Sequence, residues 1–192
     1  RFLMQAKIKK VDYVVLEITS HALHQHKVWG IPLEIAVMTN LSQDHLDYHG
    51  TMQNYALAKS RLFGKYMNPK WCVLNADDEW YELFRARSVG QIITYGKSKK
   101  SNVILSSIKS STDGLNIRFD TKDVSILASA NLMGEFNAYN LSAVVAVLKI
   151  LNISPEKIRN AVSSVSSVPG RMEMIRSSAG FTAVVDYAHT PD

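Results

Sequence analysis

Two histidines and two aspartates fall within six residues, at Asp44, His45, Asp47 and His49. They close the run Asn40-Leu41-Ser42-Gln43-Asp44-His45-Leu46-Asp47-Tyr48-His49, which follows the apolar stretch Ile35-Ala36-Val37-Met38-Thr39. Such a density of metal-capable groups suits ligand binding; the plainer reading is a turn shaped by the aspartates, with the histidines packed locally. Glu17 ends another apolar run, Tyr13-Val14-Val15-Leu16-Glu17-Ile18. A carboxylate beyond the end of a buried strand can hold a metal, or it can simply stand in solvent.

Lys59 is the most telling single residue. The stripe Met52, Tyr55 or Ala56, Lys59, then Leu62 or Phe63 has the spacing of a buried helix face. Lys59 therefore points where leucine would be expected. Its stem could pack while the ammonium snorkels to water. Alternatively the amine is desolvated, with a lowered pKa. A neutral amine can add carbon dioxide to give a carbamate, which turns a cation into an anion able to bind a metal. Further along, Asn137 and Asn140 share a face at the start of a helix. One such residue serves as a cap, and a second amide could read the edge of a base. Arg171 and Asp186 have the chemistry to meet phosphate and ribose, respectively.

These residues need elements to position them. Tyr13 to Ile18, Ile35 to Thr39, Trp71 to Leu74 and Gln91 to Tyr95 are short β-branched apolar runs, as in buried parallel strands. Helical patterns at Met52 to Phe63 and Trp80 to Arg87 lie between them. This alternation predicts an α/β fold, a mostly parallel sheet flanked by helices. Asn102 to Ser110, Leu115 to Asp120 and Val124 to Ala128 predict a small antiparallel β subdomain, with Asp113-Gly114 as a hairpin signal. Asn137 to Leu151 reads as a long amphipathic helix. Ser154-Pro155-Glu156 opens another, with serine as cap and proline at the first position. Val168-Pro169-Gly170 breaks the chain and suggests a boundary between 1–168 and 169–192. Phe181 to Val185 reads as a final strand. The chain starts at Arg1 and stops just after that strand, so an internal part of a longer protein is expected.

Composition narrows the function classes. The 192 residues are 46% hydrophobic and 20% charged, enough for a packed core and unlike a disordered chain. The longest apolar run, Ala143 to Leu148, is far short of the roughly 18 residues a membrane helix needs. A lone Cys72 excludes an internal disulfide and a cysteine-based zinc site, so a cytoplasmic setting is expected. The formal charge of +5 suits anionic small ligands, and no basic cluster interleaved with aromatics argues for nucleic acid. Lys97, Lys99 and Lys100, set among glycine and serine, read as a solvated turn.

Taken together, these runs resemble the Mur ligases. The matching segments are Glu17-Ile18-Thr19-Ser20-His21-Ala22-Leu23, Thr39 to Gly50, Ala58-Lys59, Gly134-Glu135-Phe136-Asn137 with Asn140, Val168 to Glu173, and Asp186-Tyr187-Ala188-His189-Thr190-Pro191-Asp192. Six segments in family order and spacing are far more specific than one glycine motif. Only the Asn102 to Ala128 region lacks a signature. Within the family, the resemblance is nearest the enzymes that add the third amino acid to the UDP-N-acetylmuramoyl dipeptide of peptidoglycan synthesis.

The resemblance implies ATP and Mg2+ as cofactors. It makes Glu17 and His45 magnesium ligands and Lys59 the carbamylated lysine that binds a second magnesium. Asn137 and Asn140 become adenine-side residues, Arg171 a phosphate contact and Asp186 a ribose contact. Thr19, Gln25 and Lys27 fall where the family holds its UDP-sugar substrate. Serine is usual at the first of these and arginine at the third; Thr19 keeps the hydroxyl, whereas Lys27 lacks the bidentate fork. The implied partners are UDP-MurNAc-dipeptide and a free amino acid, handled by a monomer without nucleic acid or membrane. The implied chemistry is acyl phosphate formation followed by amine attack. No glycine-rich phosphate loop with its Lys-Thr occurs in the chain, so these residues alone are expected to be inactive. Two alternatives remain: another ligase of the superfamily, of the folylpolyglutamate or cyanophycin synthetase type, and a nucleotide-binding module without catalysis.

Overall fold

A computed structural model describes residues 2–111, 114–178 and 180–188. The elements in order are α1 (Phe2–Ile8), α2 (Ser20–His24), β1 (Ile35–Val37), α3 (Leu46–His49), α4 (Met52–Ser60), β2 (Trp71–Asn75), α5 (Tyr81–Arg87) and β3 (Gln91–Gly96). They continue with β4 (Val103–Ser111), β5 (Gly114–Thr121), β6 (Ser125–Ala130), α6 (Glu135–Ile150), α7 (Pro155–Ser164), β7 (Glu173–Arg176) and β8 (Thr182–Val185). A short 3-10 turn, Arg61–Phe63, extends α4.

Strands β1 to β6 form one sheet in chain order. β1, β2, β3 and β4 pair in parallel, and β5 and β6 extend the sheet as an antiparallel wing. β4, which carries the wing, joins β3 through only two parallel pairs, Tyr95 with Val103 and Gly96 with Ile104. Period-2 alternation sends the two faces of each strand into different cores. Val73 faces a core with Val103, Leu115, Phe119, Val145 and Ile158, covered by α6 and α7. Its neighbours Cys72 and Leu74 face a second core with Ala36, Tyr55, Phe63 and Phe84, covered by α4 and α5. Each large apolar side chain fully buried in this way contributes about 1.5–3 kcal/mol. Both crossovers, from β1 to β2 and from β2 to β3, therefore run over the same face. The loops after β1, β2 and β3 consequently open together at the carboxyl edge of the parallel strands.

The helix signals act as read. Thr51 caps α4 by accepting from Asn54 N at 3.2 Å, and Ser154 caps α7 by accepting from Lys157 N at 3.5 Å. Cys72 is a buried free thiol in the second core. The stretch from Val168 to Arg171 closes in an isolated bridge, after which β7 and β8 form their own two-stranded antiparallel sheet. Among the described residues, no helix is long and apolar enough to cross a membrane.

One sequence expectation is corrected. Tyr13 to Ile18 is not a buried strand: it is irregular chain without a ladder, and Val15 is 95% exposed. β-branched composition favours extended backbone, but only a neighbouring strand completes its hydrogen bonds. Among the described residues none pairs with this run. The Lys97, Lys99 and Lys100 turn is exposed as expected, and Lys97 adds a surface ion pair with Glu135 and a place over the Tyr139 ring. Asp113 of the hairpin signal and residues 189–192 of the last motif lie outside the described residues. The pairing of Ser111 with Gly114 still gives β4 and β5 the antiparallel register of a hairpin.

Candidate functional site

The carboxyl edge is built from main-chain braces. After β1, the chain continues along β2 for one more residue, with Met38 N donating to Val73 O at 2.9 Å. Asn75 Nδ2 then donates to Thr39 O at 2.9 Å, and Tyr95 Oη donates to Met38 O at 2.9 Å and Thr39 O at 3.1 Å. Asp78 completes the brace, its Oδ2 accepting from Leu41 N at 2.9 Å and its Oδ1 from Trp80 N at 2.9 Å. Burial pushes the Asp78 carboxyl up, and the backbone donors of Trp80 and Leu41 pull it part of the way back. The loop from 38 to 45 is thus held by residues of β2, β3 and the turn after β2.

His45 stands at the end of that loop, immediately before α3, in the left-handed region at φ 54°. Asp44 fixes it twice, through its Oδ1 to His45 N at 2.7 Å and its Oδ2 to His45 Nε2 at 3.3 Å. The His45 ring meets Tyr55 edge-on at 6.0 Å. Lys59 lies one turn further along α4, its Nζ 5.3 Å from the Tyr55 ring centre. Tyr55, Ala56 and Phe63 are buried, as the helical stripe requires, and Lys59 is half-buried among them. Desolvation lowers the Lys59 pKa, against the opposing pull of Asp44, Glu17 and Asp78. Glu17, at an exposed position of that irregular run, is thus close enough for its charge to act on Lys59.

The segment after Glu17 joins the same cluster. Thr19 caps α2 by accepting from Ala22 N at 3.2 Å. Ser20 Oγ and His49 Nε2 form a buried hydrogen bond of 2.9 Å. Gln25 Nε2 donates to Tyr48 Oη at 3.1 Å, and His24 Nδ1 shares that hydroxyl at 2.9 Å. Arg61 Nη1 donates to His24 O at 3.1 Å, tying the end of α2 to the end of α4. Lys27 is exposed beyond this contact. A mostly apolar cavity of about 200 Å3, lined by Leu23, Trp29, Arg61 and Tyr66 among others, lies beside the segment and includes none of the candidate residues.

α6 starts at the same edge. Tyr139 Oη donates to Asp77 Oδ2 at 2.9 Å, and Asp77 also accepts from Lys97 N at 2.5 Å. This brings Asn137 and Asn140 to the carboxyl side. Asn137 is buried, and its Nδ2 donates to Met133 O at 2.7 Å, which is a structural use of the amide. Asn140 Nδ2 reaches Asn137 Oδ1 at 3.4 Å. Arg171 and Asp186 instead flank the β7–β8 pair, just before β7 and just after β8. Asp186 accepts from Met172 N and Ala188 N, both at 2.6 Å, while Arg171 lies over the Tyr187 ring. Among the described residues, no hydrogen bond or ion pair joins this pair to Asn137 or Asn140.

Sequence reasoning missed Asn75, Asp78 and Tyr95, although Asn75 ends an apolar run as Glu17 does, with Asp77 and Asp78 directly after it. It also treated His49 only as one of a group.

No group of three or more His, Cys, Asp or Glu side chains among the described residues is arranged to hold a metal ion. Magnesium does not need such a cage, since it takes one or two carboxylates, several waters and phosphate oxygens. A half-buried lysine with a lowered pKa, in the field of three carboxylates, could supply two more oxygens as a carbamate. This donor set fits magnesium, with the His45 imidazole as its least usual member.

The chain matches the model of the Mur ligase middle domain over residues 1–148. It is 42% identical over 188 residues to the UDP-N-acetylmuramoyl-L-alanyl-D-glutamate--2,6-diaminopimelate ligase of Geobacillus kaustophilus, covering 95% of this chain and 38% of that protein. It is 38% identical over 195 residues to UDP-N-acetylmuramyl-tripeptide synthetase 2 of Oceanobacillus iheyensis, covering 99% of this chain and 40% of that one. A solved structure of a UDP-N-acetylmuramoyl-L-alanyl-D-glutamate--2,6-diaminopimelate ligase superposes with a TM-score of 0.79 at 34% identity, over 92% of this chain and 37% of the other. The chain thus spans about two fifths of the length of these relatives.

Proposed function

The chain belongs to the Mur ligase family, and from that premise we propose that it is the central part of an ATP-dependent ligase that adds the third amino acid to UDP-N-acetylmuramoyl-L-alanyl-D-glutamate. The observation that carries this reading is Lys59: a half-buried amine stacked on the Tyr55 ring that His45 also meets, in the electrostatic field of Asp44, Glu17 and Asp78. A nucleotide-binding module without catalysis has no use for so costly an arrangement. The names of the relatives favour this ligase over a folylpolyglutamate or cyanophycin synthetase.

In this reading residues 1–168 contribute to the central ATP-binding domain, and 169–192 open the C-terminal ligase domain. The D-glutamate carboxylate takes the γ-phosphoryl group of ATP, and ADP leaves. The amine of the incoming amino acid then attacks the acyl phosphate, giving the amide and inorganic phosphate. Bound magnesium would neutralise charge on the phosphoryl group. Glu17 and His45 would hold one ion, and the Lys59 carbamate a second. The carbamate forms when the neutral Lys59 amine bonds the carbon of carbon dioxide and releases a proton. Thr19, Gln25 and Lys27 would orient the UDP-sugar, Asn137 and Asn140 the adenine side, Arg171 phosphate and Asp186 ribose. The protein works mainly by positioning and electrostatics. A monomer working in the cytoplasm fits substrates of this kind.

The test is an assay of the full-length ligase with ATP, Mg2+, UDP-MurNAc-L-Ala-D-Glu and candidate amino acids. The expected result is the tripeptide product, with one ADP and one phosphate per amide formed. Hydrolysis or binding of ATP without amide formation, for every amino acid offered, would overturn the proposal.

A further inference from the structure

His49 touches every segment that carries a proposed metal ligand. Its backbone N donates to His45 O at 3.0 Å, so the two histidines are joined by one turn of α3. Its Nε2 shares the 2.9 Å bond with Ser20 Oγ, three residues after Glu17 and next to Thr19. Its ring stacks on Tyr55 at 5.2 Å and 28°, and Tyr55 carries the Lys59 ammonium on its ring. Its carbonyl accepts from Asn54 Nδ2 at 3.1 Å, which ties the end of α3 to the start of α4. Ser20 is 1% exposed and His49 8% exposed, so this bond is shielded from water.

From these contacts we propose that His49, bonded to Ser20, is a positioning residue that fixes the segments of Glu17, His45 and Lys59 relative to one another. The inference rests on the reading of the site given above. A leucine or phenylalanine could fill the space, but apolar contacts do not select one rotation. A buried hydroxyl–imidazole bond has one geometry, and losing it leaves a polar group unpaired. Partners of this kind, one shell outside the ligands, typically change metal affinity by about 10- to 100-fold when removed.

The test uses full-length His49→Leu, His49→Gln and Ser20→Ala enzymes, with three readouts. These are the Mg2+ concentration giving half-maximal ligation, the 13C carbamate signal of Lys59 under labelled bicarbonate, and the thermal midpoint. Glutamine can place its Nε2 near that of the imidazole. The account expects His49→Leu to raise the Mg2+ requirement by about tenfold or more and to weaken the carbamate signal. His49→Gln should recover most of both, Ser20→Ala should move both in the same direction, and the Ser20→Ala/His49→Leu double variant should be no worse than His49→Leu. A folded His49→Leu enzyme with the wild-type Mg2+ requirement and carbamate signal, whatever its thermal midpoint, overturns the inference. If His49→Leu does not fold, Ser20→Ala decides in the same way, since it removes only a hydroxyl. A wild-type enzyme that neither ligates nor shows the carbamate signal removes the underlying reading of the site, and the inference with it. Wild-type behaviour of the variants beside an active, carbamylated parent removes the inference alone.

Discussion

Lys59 Nζ lies 5.3 Å from the centre of the Tyr55 ring, four residues earlier on the same helix. Burial pushes the Tyr55 hydroxyl up to about 12, so the ring stays neutral near pH 7 and offers the ammonium a π face without a counter-charge. A contact of this kind offsets only part of the cost of taking an ammonium out of water. The remaining cost lowers the Lys59 pKa and so raises the share of neutral amine, the form that can react with carbon dioxide.

The brace behind this site makes a stability prediction. Tyr95→Phe removes one hydroxyl from Met38 O and Thr39 O and should cost about 1 kcal/mol. Asp78→Ala strips two backbone N–H groups of their acceptor and should cost about 1–3 kcal/mol. Urea denaturation of the 192-residue chain measures both. Equal stability of Asp78→Ala and wild type would show that the loop after β1 is held by other means.

The two asparagines at the start of α6 should separate. Asn137→Ala leaves Met133 O without its donor and should lower the thermal midpoint, by about 1–3 kcal/mol of stability. Asn140→Ala loses only a long 3.4 Å bond and should leave the midpoint nearly unchanged. If Asn140 reads adenine, the KM for ATP of the full-length ligase should rise about tenfold in Asn140→Ala. An unchanged KM would show that Asn140 does not contact the adenine.

The antiparallel wing carries a pH prediction. Hydrogen bonds from Ser106, Ser125 and Arg118 hold the Asp120 carboxyl down at about 2, against an ordinary value of 3.8. A carboxyl with a depressed folded-state pKa adds stability that is fully present above its unfolded value. That stability fades as the pH falls from about 4 through about 2. Asp120→Asn should therefore be less stable than wild type at pH 7, with the difference vanishing near pH 2. Parallel stability curves for the two proteins over this range would contradict the assignment.

What the sequence disclosed follows from which interactions are local. The inward place of Lys59 was legible because a helix repeats every 3.6 residues, and Tyr55, Ala56 and Phe63 took the burial that this period requires. Strands β2 and β3 were legible because a strand buried on both faces reads as an unbroken apolar run. Tyr13 to Ile18 has the same composition and forms no strand, because pairing depends on a neighbour that composition does not specify. The Tyr95 contacts with Met38 and Thr39 join residues more than fifty apart, and the Ser20–His49 bond spans 29. No spacing rule reaches such distances. Asn137 looked like one of two equivalent amides, and only the position of Met133 O distinguishes it.

If Lys59 serves as a carbamate in an ATP-dependent ligase, replacing it must remove activity that a small carboxylate can partly restore. Ligation is measured for full-length Lys59→Ala with ATP, Mg2+, UDP-MurNAc-L-Ala-D-Glu and the accepted amino acid, first alone and then with added formate or acetate. The account predicts a loss on the order of a hundred- to a thousandfold without additive, and a partial return when a small carboxylate takes the place of the carbamate. Full activity of Lys59→Ala with no additive would contradict it and leave Lys59 a packed, snorkelling side chain.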